Sequence, residues 1–153
     1  MIEIRNFTEN KIKEDFLKKI VDVVLVKEKF CSSLKEVELS VALVGPGRMR
    51  KLNKAFLKKN RVTDVLAFPE SKILFEKFKV GEQKKIKGLG EIVICLREVK
   101  KNAKRFKSSF ERELNRVLIH GLLHLLGYEH EKSNQEAVRM KKKEEQYLKM
   151  TIF

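Results

Sequence analysis

The three histidines of the chain, His120, His124 and His130, lie within eleven residues of one another. His120 and His124 are spaced so that an α-helix would place both on one face, with their Cβ atoms about 5–6 Å apart. Gly127 can end that helix, because glycine adopts the left-handed conformation at little steric cost. The chain can then turn back and bring His130 to the same point. Three imidazoles with one open coordination position are typical of a catalytic zinc site, so the spacing predicts one zinc ion per chain.

The same stretch can be compared with the zinc-protease motif H-E-x-x-H-x-x-G-x-x-H. Its histidine and glycine spacing is reproduced, but Gly121 stands where the motif has the glutamate that acts as general base. The sequence therefore predicts the metal scaffold and disfavours peptide hydrolysis by the usual route.

A helix from about Ser109 to Leu126 must carry His120 and His124. Ser108 followed by Glu111 predicts a capping box at its start. Its apolar residues form two stripes, which predicts a helix buried in the middle of the fold whose histidines face a cleft. The stripes are Leu114, Val117, Leu118, Leu122 and Leu125 on one side, and Ile119, Leu123 and Leu126 on the other.

Hydrophobic periodicity predicts the elements around this helix. Strands are expected at 2–7, 37–43, 63–68 and 89–96, and helices at 10–30, from Pro46, from about Arg97 and at 134–150, the last after a capping pattern at Ser133 and Glu136. The residues between Pro69 and Gly88 could hold a hairpin, a loop or both. The predicted fold class is α+β: a mixed, roughly four-stranded sheet packed with helices, in a single domain spanning residues 1–153.

The formal net charge of +14 predicts an anionic partner, either nucleic acid or an anionic membrane. No apolar run approaches membrane-spanning length, and the N-terminus lacks a signal-peptide core, so we expect a soluble cytoplasmic protein. Residues 45–63 contain no acid but seven bases, and a second basic group follows residue 96; phosphate binding is the simplest use of both. The bases are Arg48, Arg50, Lys51, Lys54, Lys58, Lys59 and Arg61, then Arg97, Lys100, Lys101, Lys104, Arg105 and Lys107.

The two cysteines, Cys31 and Cys95, are isolated in sequence, and we expect both to be reduced thiols that fill space. Cys95 would become a fourth metal ligand only if its end of the strand faced the histidines.

Three segments resemble the bacterial YbeY family of rRNA-maturation endoribonucleases: HGLLHLLGYEH (120–130), LGEIVIC (89–95) and MRKLNKAF…TDVLAFP (49–69). The resemblance implies that His120, His124 and His130 are zinc ligands. It also implies a single-strand-specific, metal-dependent endoribonuclease that processes the 3′ end of small-subunit rRNA and takes part in ribosome biogenesis and quality control. Its implied partners are rRNA and, with it, ribosomal or assembly proteins.

The chain departs from this family at two positions. Glu129 replaces the usual aspartate and keeps the carboxylate. The family's functional arginine falls on Leu57, so its phosphate-facing role is either lost or has moved to Lys58, Lys59 or Arg61. Glu129 and Glu91 are candidates for moving a proton or for orienting a ligating imidazole.

Two alternatives stay open at this point. One is a zinc hydrolase of another, peptide-like substrate; the other is a non-catalytic rRNA-binding assembly factor with a structural zinc. An open fourth coordination position favours catalysis, and a fourth protein ligand favours the structural role. The sequence leaves open the oligomeric state and whether water or the ribose 2′-OH attacks.

Overall fold

A four-stranded mixed sheet organises the chain in a computed structural model that describes residues 1–70 and 87–151. The strand order is β1-β2-β4-β3, in which β1, β2 and β4 run parallel and β3 runs antiparallel to β4. The strands are β1 (Ile2–Asn6), β2 (Val37–Val44), β3 (Val65–Pro69) and β4 (Lys87–Cys95). The helices are α1 (Glu14–Lys27), α2 (Pro46–Leu57), α3 (Leu96–Arg105), α4 (Phe110–Leu125) and α5 (Asn134–Met150), with a short 3₁₀ turn at Leu34–Glu36. The predicted α+β class with a mixed sheet is confirmed.

The two faces of the sheet carry different layers, because successive strand side chains point to opposite sides. Ile92 and Ile94 of β4 belong to the larger core, which they share with α1, α4 and α5. Val93 and Cys95 belong to a smaller cluster that includes Met49 of α2. The helix α2 therefore covers one face, and the histidine-bearing helix lies on the other.

Helix α4 lies in the centre of the larger layer, as its two apolar stripes predict. Leu118, Ile119, Leu122 and Leu123 are each completely buried. His120 and His124 are only partly buried, so they face out of the core.

Two helix starts differ from the sequence prediction. Helix α1 begins at Glu14 instead of Asn10, because Asn10 belongs to a turn in which Asn6 Nδ2 donates to the Asn10 carbonyl at 2.6 Å. Helix α4 is capped by Ser109, whose Oγ accepts from Arg112 N at 3.1 Å, and not by Ser108. The cap at Ser133 is confirmed, since its Oγ accepts from Glu136 N at 3.1 Å.

The expected hairpin or loop before Gly88 falls largely on residues 71–86, which lie outside the described residues. Within residues 1–70 and 87–151, no helix has the length and apolar character needed to cross a membrane.

Candidate metal centre

His120, His124 and His130 meet at one point in the fold. One ligand nitrogen from each ring lies within 4.8 Å of the other two. The Nε2 atoms of His120 and His124 are 3.0 Å apart. The His130 ring centroid lies 5.5 Å from that of His120 and 5.0 Å from that of His124. The clustering predicted from the spacing is confirmed.

The turn after α4 brings His130 to this point. Gly127 has φ of +101°, the left-handed conformation expected of a helix-ending glycine. Gly127 N donates to the His124 carbonyl at 3.0 Å, and Tyr128 N donates to the Leu123 carbonyl at 3.0 Å. These two bonds satisfy carbonyls in the last turn of the helix and reverse the chain, as a Schellman motif does.

The arrangement of the three imidazoles fits a divalent metal ion that prefers tetrahedral coordination by nitrogen, as zinc does. Nitrogens bound tetrahedrally at about 2.0–2.1 Å would lie roughly 3.3 Å apart, close to the observed separation of the His120 and His124 nitrogens. Burial lowers the pKa of His124, and the neighbouring His120 and His130 lower it further. A lowered pKa favours the neutral imidazole, which is the form that binds metal. Within the described residues, no other Cys, Asp or Glu joins this group.

Glu144 of α5 contacts the first of these histidines. His120 Nδ1 donates to Glu144 Oε1, which leaves Nε2 of the same ring turned toward His124. A carboxylate on the far nitrogen fixes the tautomer and orientation of a ligating imidazole and raises its basicity. Glu144 was not among the site residues predicted from the sequence. The one sequence feature that marks it is an acidic residue on the buried side of α5, four residues after Met140 and four before Leu148.

Arg116 lies behind Glu144 and holds a group of three carboxylates. Its guanidinium contacts Glu113 at 2.6 Å, Asp64 at 3.8 Å and Glu144 at 3.9 Å. The hydrogen bonds to the buried Glu113 are the largest cause of a raised Arg116 pKa. A buried carboxylate needs such a partner, and Arg116 supplies one beside the metal centre.

The histidines open onto a cleft of about 520 Å³. Lys59 and Arg61 line it, as do Glu129, Asp64 and Leu57. The structure therefore brings two of the three predicted phosphate-binding residues to the histidines. Lys58 is not among the lining residues of the cleft; it ends α2 in the left-handed conformation, with φ of +57°.

Asn53 of α2 fixes the cationic loop that follows the helix. Its side chain is 1% exposed, and Nδ2 donates to the Arg61 carbonyl at 3.0 Å. The backbone carbonyl of Asn53 accepts from Lys59 N at 3.3 Å. The two bonds, one from the side chain and one to the backbone of Asn53, tie the loop back onto the helix and position Lys59 and Arg61 at the cleft.

Two other candidates lie elsewhere. Glu91 is exposed on β4 in a depression that it shares with Glu3, Glu38 and Glu70, and it does not line the histidine cleft. Cys95 is completely buried in the cluster under α2, on the opposite face of the sheet from the histidines. Burial raises the pKa of its thiol. The structure thus gives Cys95 no position as a fourth ligand.

Gly121 packs against the sheet, which accounts for the missing protease glutamate. A Cβ atom at this position would lie 3.0 Å from Cγ2 of the completely buried Ile92. At this distance the Ile92 side chain would have to shift by a few tenths of an ångström to admit a Cβ atom. The close approach of α4 to the sheet therefore favours glycine here.

Comparison with known proteins adds a family to this geometry. The family model described as Endoribonuclease YbeY matches residues 3–151. A protein named Endoribonuclease YbeY from Chlorobium phaeovibrioides is 39% identical over 149 residues, which are 97% of this chain and 89% of that protein. Another of that name from Thermotoga maritima is 35% identical over 132 residues, 86% of this chain and 76% of that protein. The solution structure of TM1509 from Thermotoga maritima has a TM-score of 0.63 and 30% identity, and the match covers 99% of this chain and 89% of that one.

Proposed function

Because this chain belongs to the Endoribonuclease YbeY family, we propose that residues 1–153 form one domain that cleaves single-stranded RNA with the help of one zinc ion. Its substrate in this proposal is rRNA, and its step is late maturation of the small-subunit 3′ end in the cytoplasm, together with ribosome quality control. Ribosomal or assembly proteins are its expected partners at that step.

One observation carries the proposal: the three histidines and two cations, Lys59 and Arg61, open onto the same cleft. Histidines alone would fit many hydrolases. Cations that are held at the cleft by the buried Asn53 suit a substrate with phosphates on both sides of the bond that breaks.

The residues of the chain have distinct roles in this reaction. When bound, a zinc ion supplies Lewis acidity, which lowers the pKa of a coordinated water to about 7 and polarises a phosphoryl oxygen. Lys59 and Arg61 bind the phosphates that flank the scissile bond, with Lys58 as a further contact from the same loop. Glu144 orients His120. Glu129 lines the cleft, and in this proposal it moves a proton to or from the reacting oxygen.

The zinc-protease alternative is weakened because Gly121 stands where the protease motif has its general base. Hydrolysis of a peptide-like substrate would need a base from another position.

The test combines metal content with cleavage of a structured rRNA fragment, before and after chelation. We expect one zinc ion per chain, loss of cleavage on chelation and its return on adding zinc. His120→Ala and His124→Ala should lose the metal, whereas Glu145→Ala, on the exposed side of α5, should keep both metal and cleavage. Full metal content in both histidine variants would contradict the metal site. Tight rRNA binding by a zinc-loaded protein without cleavage would instead indicate an assembly factor.

A further inference from the structure

The last turn of α2 exposes two large apolar side chains beside the cleft. Phe56 is 65% exposed and Leu57 is 49% exposed. Leu57 lines the histidine cleft, whereas Phe56, the residue before it, lies outside the cleft on the side of α2 that packs toward β3. Two such side chains next to each other are unusual on a segment as polar as residues 45–63, and neither is needed for the core.

The ring of Phe56 is held in place from one side. It packs against Phe68 of β3, with ring centroids 5.3 Å apart and an interplanar angle of 59°. Phe68 is itself partly buried against the cluster under α2. An aromatic ring that is anchored at one side and exposed elsewhere offers a preformed flat surface to a ligand.

The charges around this ring favour a nucleic acid. Residues 45–63 carry seven bases and no acid. Lys58, Lys59 and Arg61 follow within five residues of Phe56, and none of them lies within ion-pair distance of a carboxylate among the described residues. On α3, by contrast, Arg97 and Lys101 pair with Glu98 at 3.1 Å and 3.8 Å. The cations next to Phe56 are therefore available to phosphates.

We propose that Phe56 is the stacking platform for an unpaired base of the RNA strand whose phosphates enter the cleft along Lys59 and Arg61. Single-stranded nucleic acid is bound by this combination of a cationic track and aromatic rings, because every unpaired base has a free face. A duplex keeps its base faces stacked inside and offers none to Phe56. The inference rests on the proposed function, and it names the residue that makes the site select single strands.

The absence of tryptophan from the chain gives a direct test. Phe56→Trp and Phe106→Trp each create a single tryptophan reporter. Phe106 is the matched control: it is 60% exposed at the end of α3, has Arg105 over its ring at 5.6 Å, and, unlike Phe56, has no chain neighbour that lines the cleft. Adding a short single-stranded oligoadenylate should quench the emission of the Phe56→Trp protein and leave that of the Phe106→Trp protein unchanged. The same strand without its bases should quench neither.

Affinities give the second readout. Phe56→Ala should weaken binding of the single strand by roughly 5- to 100-fold, the effect of losing one base stack. Phe56→Leu should weaken it similarly, because leucine keeps the apolar contact but has no aromatic face. Phe106→Ala should bind as the unmodified protein does, and binding of duplex RNA should be the same in all four proteins. Thermal unfolding confirms that each variant is folded.

The outcomes separate this inference from the proposed function. If the protein binds single-stranded RNA and Phe56→Ala or Phe56→Leu binds it equally well, the stacking role is overturned while the endoribonuclease proposal stands. If the strand without bases quenches the Phe56→Trp emission as strongly as oligoadenylate does, the stacking role is likewise overturned. The exposed Phe56 and Leu57 would then contact another partner, such as a protein surface. If the unmodified protein neither binds nor cleaves single-stranded RNA, the proposed function fails.

Discussion

His120 and Glu144 join the last two helices at the metal centre through a hydrogen bond from Nδ1 to Oε1. The bond holds the His120 ring in the orientation that turns Nε2 toward His124. Glu144 is in turn held by Arg116, which also contacts Glu113 and Asp64. The geometry of the centre therefore depends on a helix that provides none of its three histidines.

Removing Glu144 should weaken metal binding without unfolding the protein. We expect Glu144→Ala to lower zinc affinity by roughly 10- to 100-fold, as is usual when the partner of a ligating imidazole is lost. Glu144→Gln should lose less, because its amide oxygen can still accept from Nδ1. Competition with a chelator measures the affinity, and Glu145→Gln is the neighbouring control. Unchanged affinity in Glu144→Ala would show that the contact does not orient the ligand.

Phosphate contacts from the loop after α2 should appear in the salt dependence of RNA binding. Changing Lys58, Lys59 and Arg61 together to alanine should flatten the slope of log affinity against log salt by about 0.7 per lost contact on single strands. Lys18, Lys27 and Lys35 are exposed and do not line the cleft, so their triple alanine variant removes the same charge elsewhere. Equal slopes for the two triple variants would mean that RNA follows another surface.

Leu57 offers a gain-of-function test, because it lines the cleft at the position where the resemblance to the family implies an arginine. Leu57→Arg should raise the rate of RNA cleavage and leave zinc content unchanged, since a guanidinium there can contact phosphate with two parallel hydrogen bonds. Leu57→Lys supplies a point charge only and should raise the rate less. A folded Leu57→Arg protein that cleaves RNA no faster than the unmodified protein would contradict this expectation. That result would mean that the nearby cations already bind the phosphate or that an arginine at this position has no such role.

Glu28 should make the stability of the fold pH-dependent. Burial alone would raise the pKa of Glu28, but hydrogen bonds from Tyr128, Tyr147 and Lys143 lower it by more, so the net pKa lies below its ordinary value. Tyr128 donates to Oε1 at 2.5 Å, and Lys143 contacts Oε2 at 3.2 Å. A carboxyl whose pKa is lowered by folding stabilises the protein above its unfolded-state pKa, and this stabilisation is lost as the pH falls through the folded-state value.

Glu28→Gln should therefore lower the free energy of unfolding by about 2 kcal/mol at neutral pH, and the Tm by roughly 4–8 °C. The difference in free energy of unfolding between the unmodified and Glu28→Gln proteins should shrink below about pH 4.3, the ordinary pKa of glutamate. Thermal unfolding followed by circular dichroism across this range measures it. Glu9→Gln, an exposed residue, should show no difference at any pH. A difference for Glu28→Gln that persists undiminished at low pH would contradict the role of the charge.

The parts of the site that depend on local spacing could be predicted from the sequence. His120, His124 and Gly127 follow helix geometry, which fixes their relation within two turns. The position of Glu144 depends on how α5 packs on α4, which is set by contacts across 24 residues. Cys95 could not be assigned to a face, because the strand is apolar on nearly every residue near its end and so shows no alternation. Ser108 and Ser109 are adjacent serines, and only the backbone distinguishes which one caps the helix.

The three histidines differ in how firmly the chain holds them. His120 and His124 lie on a helix packed into the core, whereas His130 is exposed on the connection that follows Tyr128. The Tyr128 side chain is buried and bonded to Glu28, so the freedom of this connection begins only at Glu129. His130 therefore joins His120 and His124 through a short connection from the buried Tyr128. The conformational entropy lost when so short a loop closes is small. We expect metal exchange to start with the release of His130 while the helix pair keeps its hold.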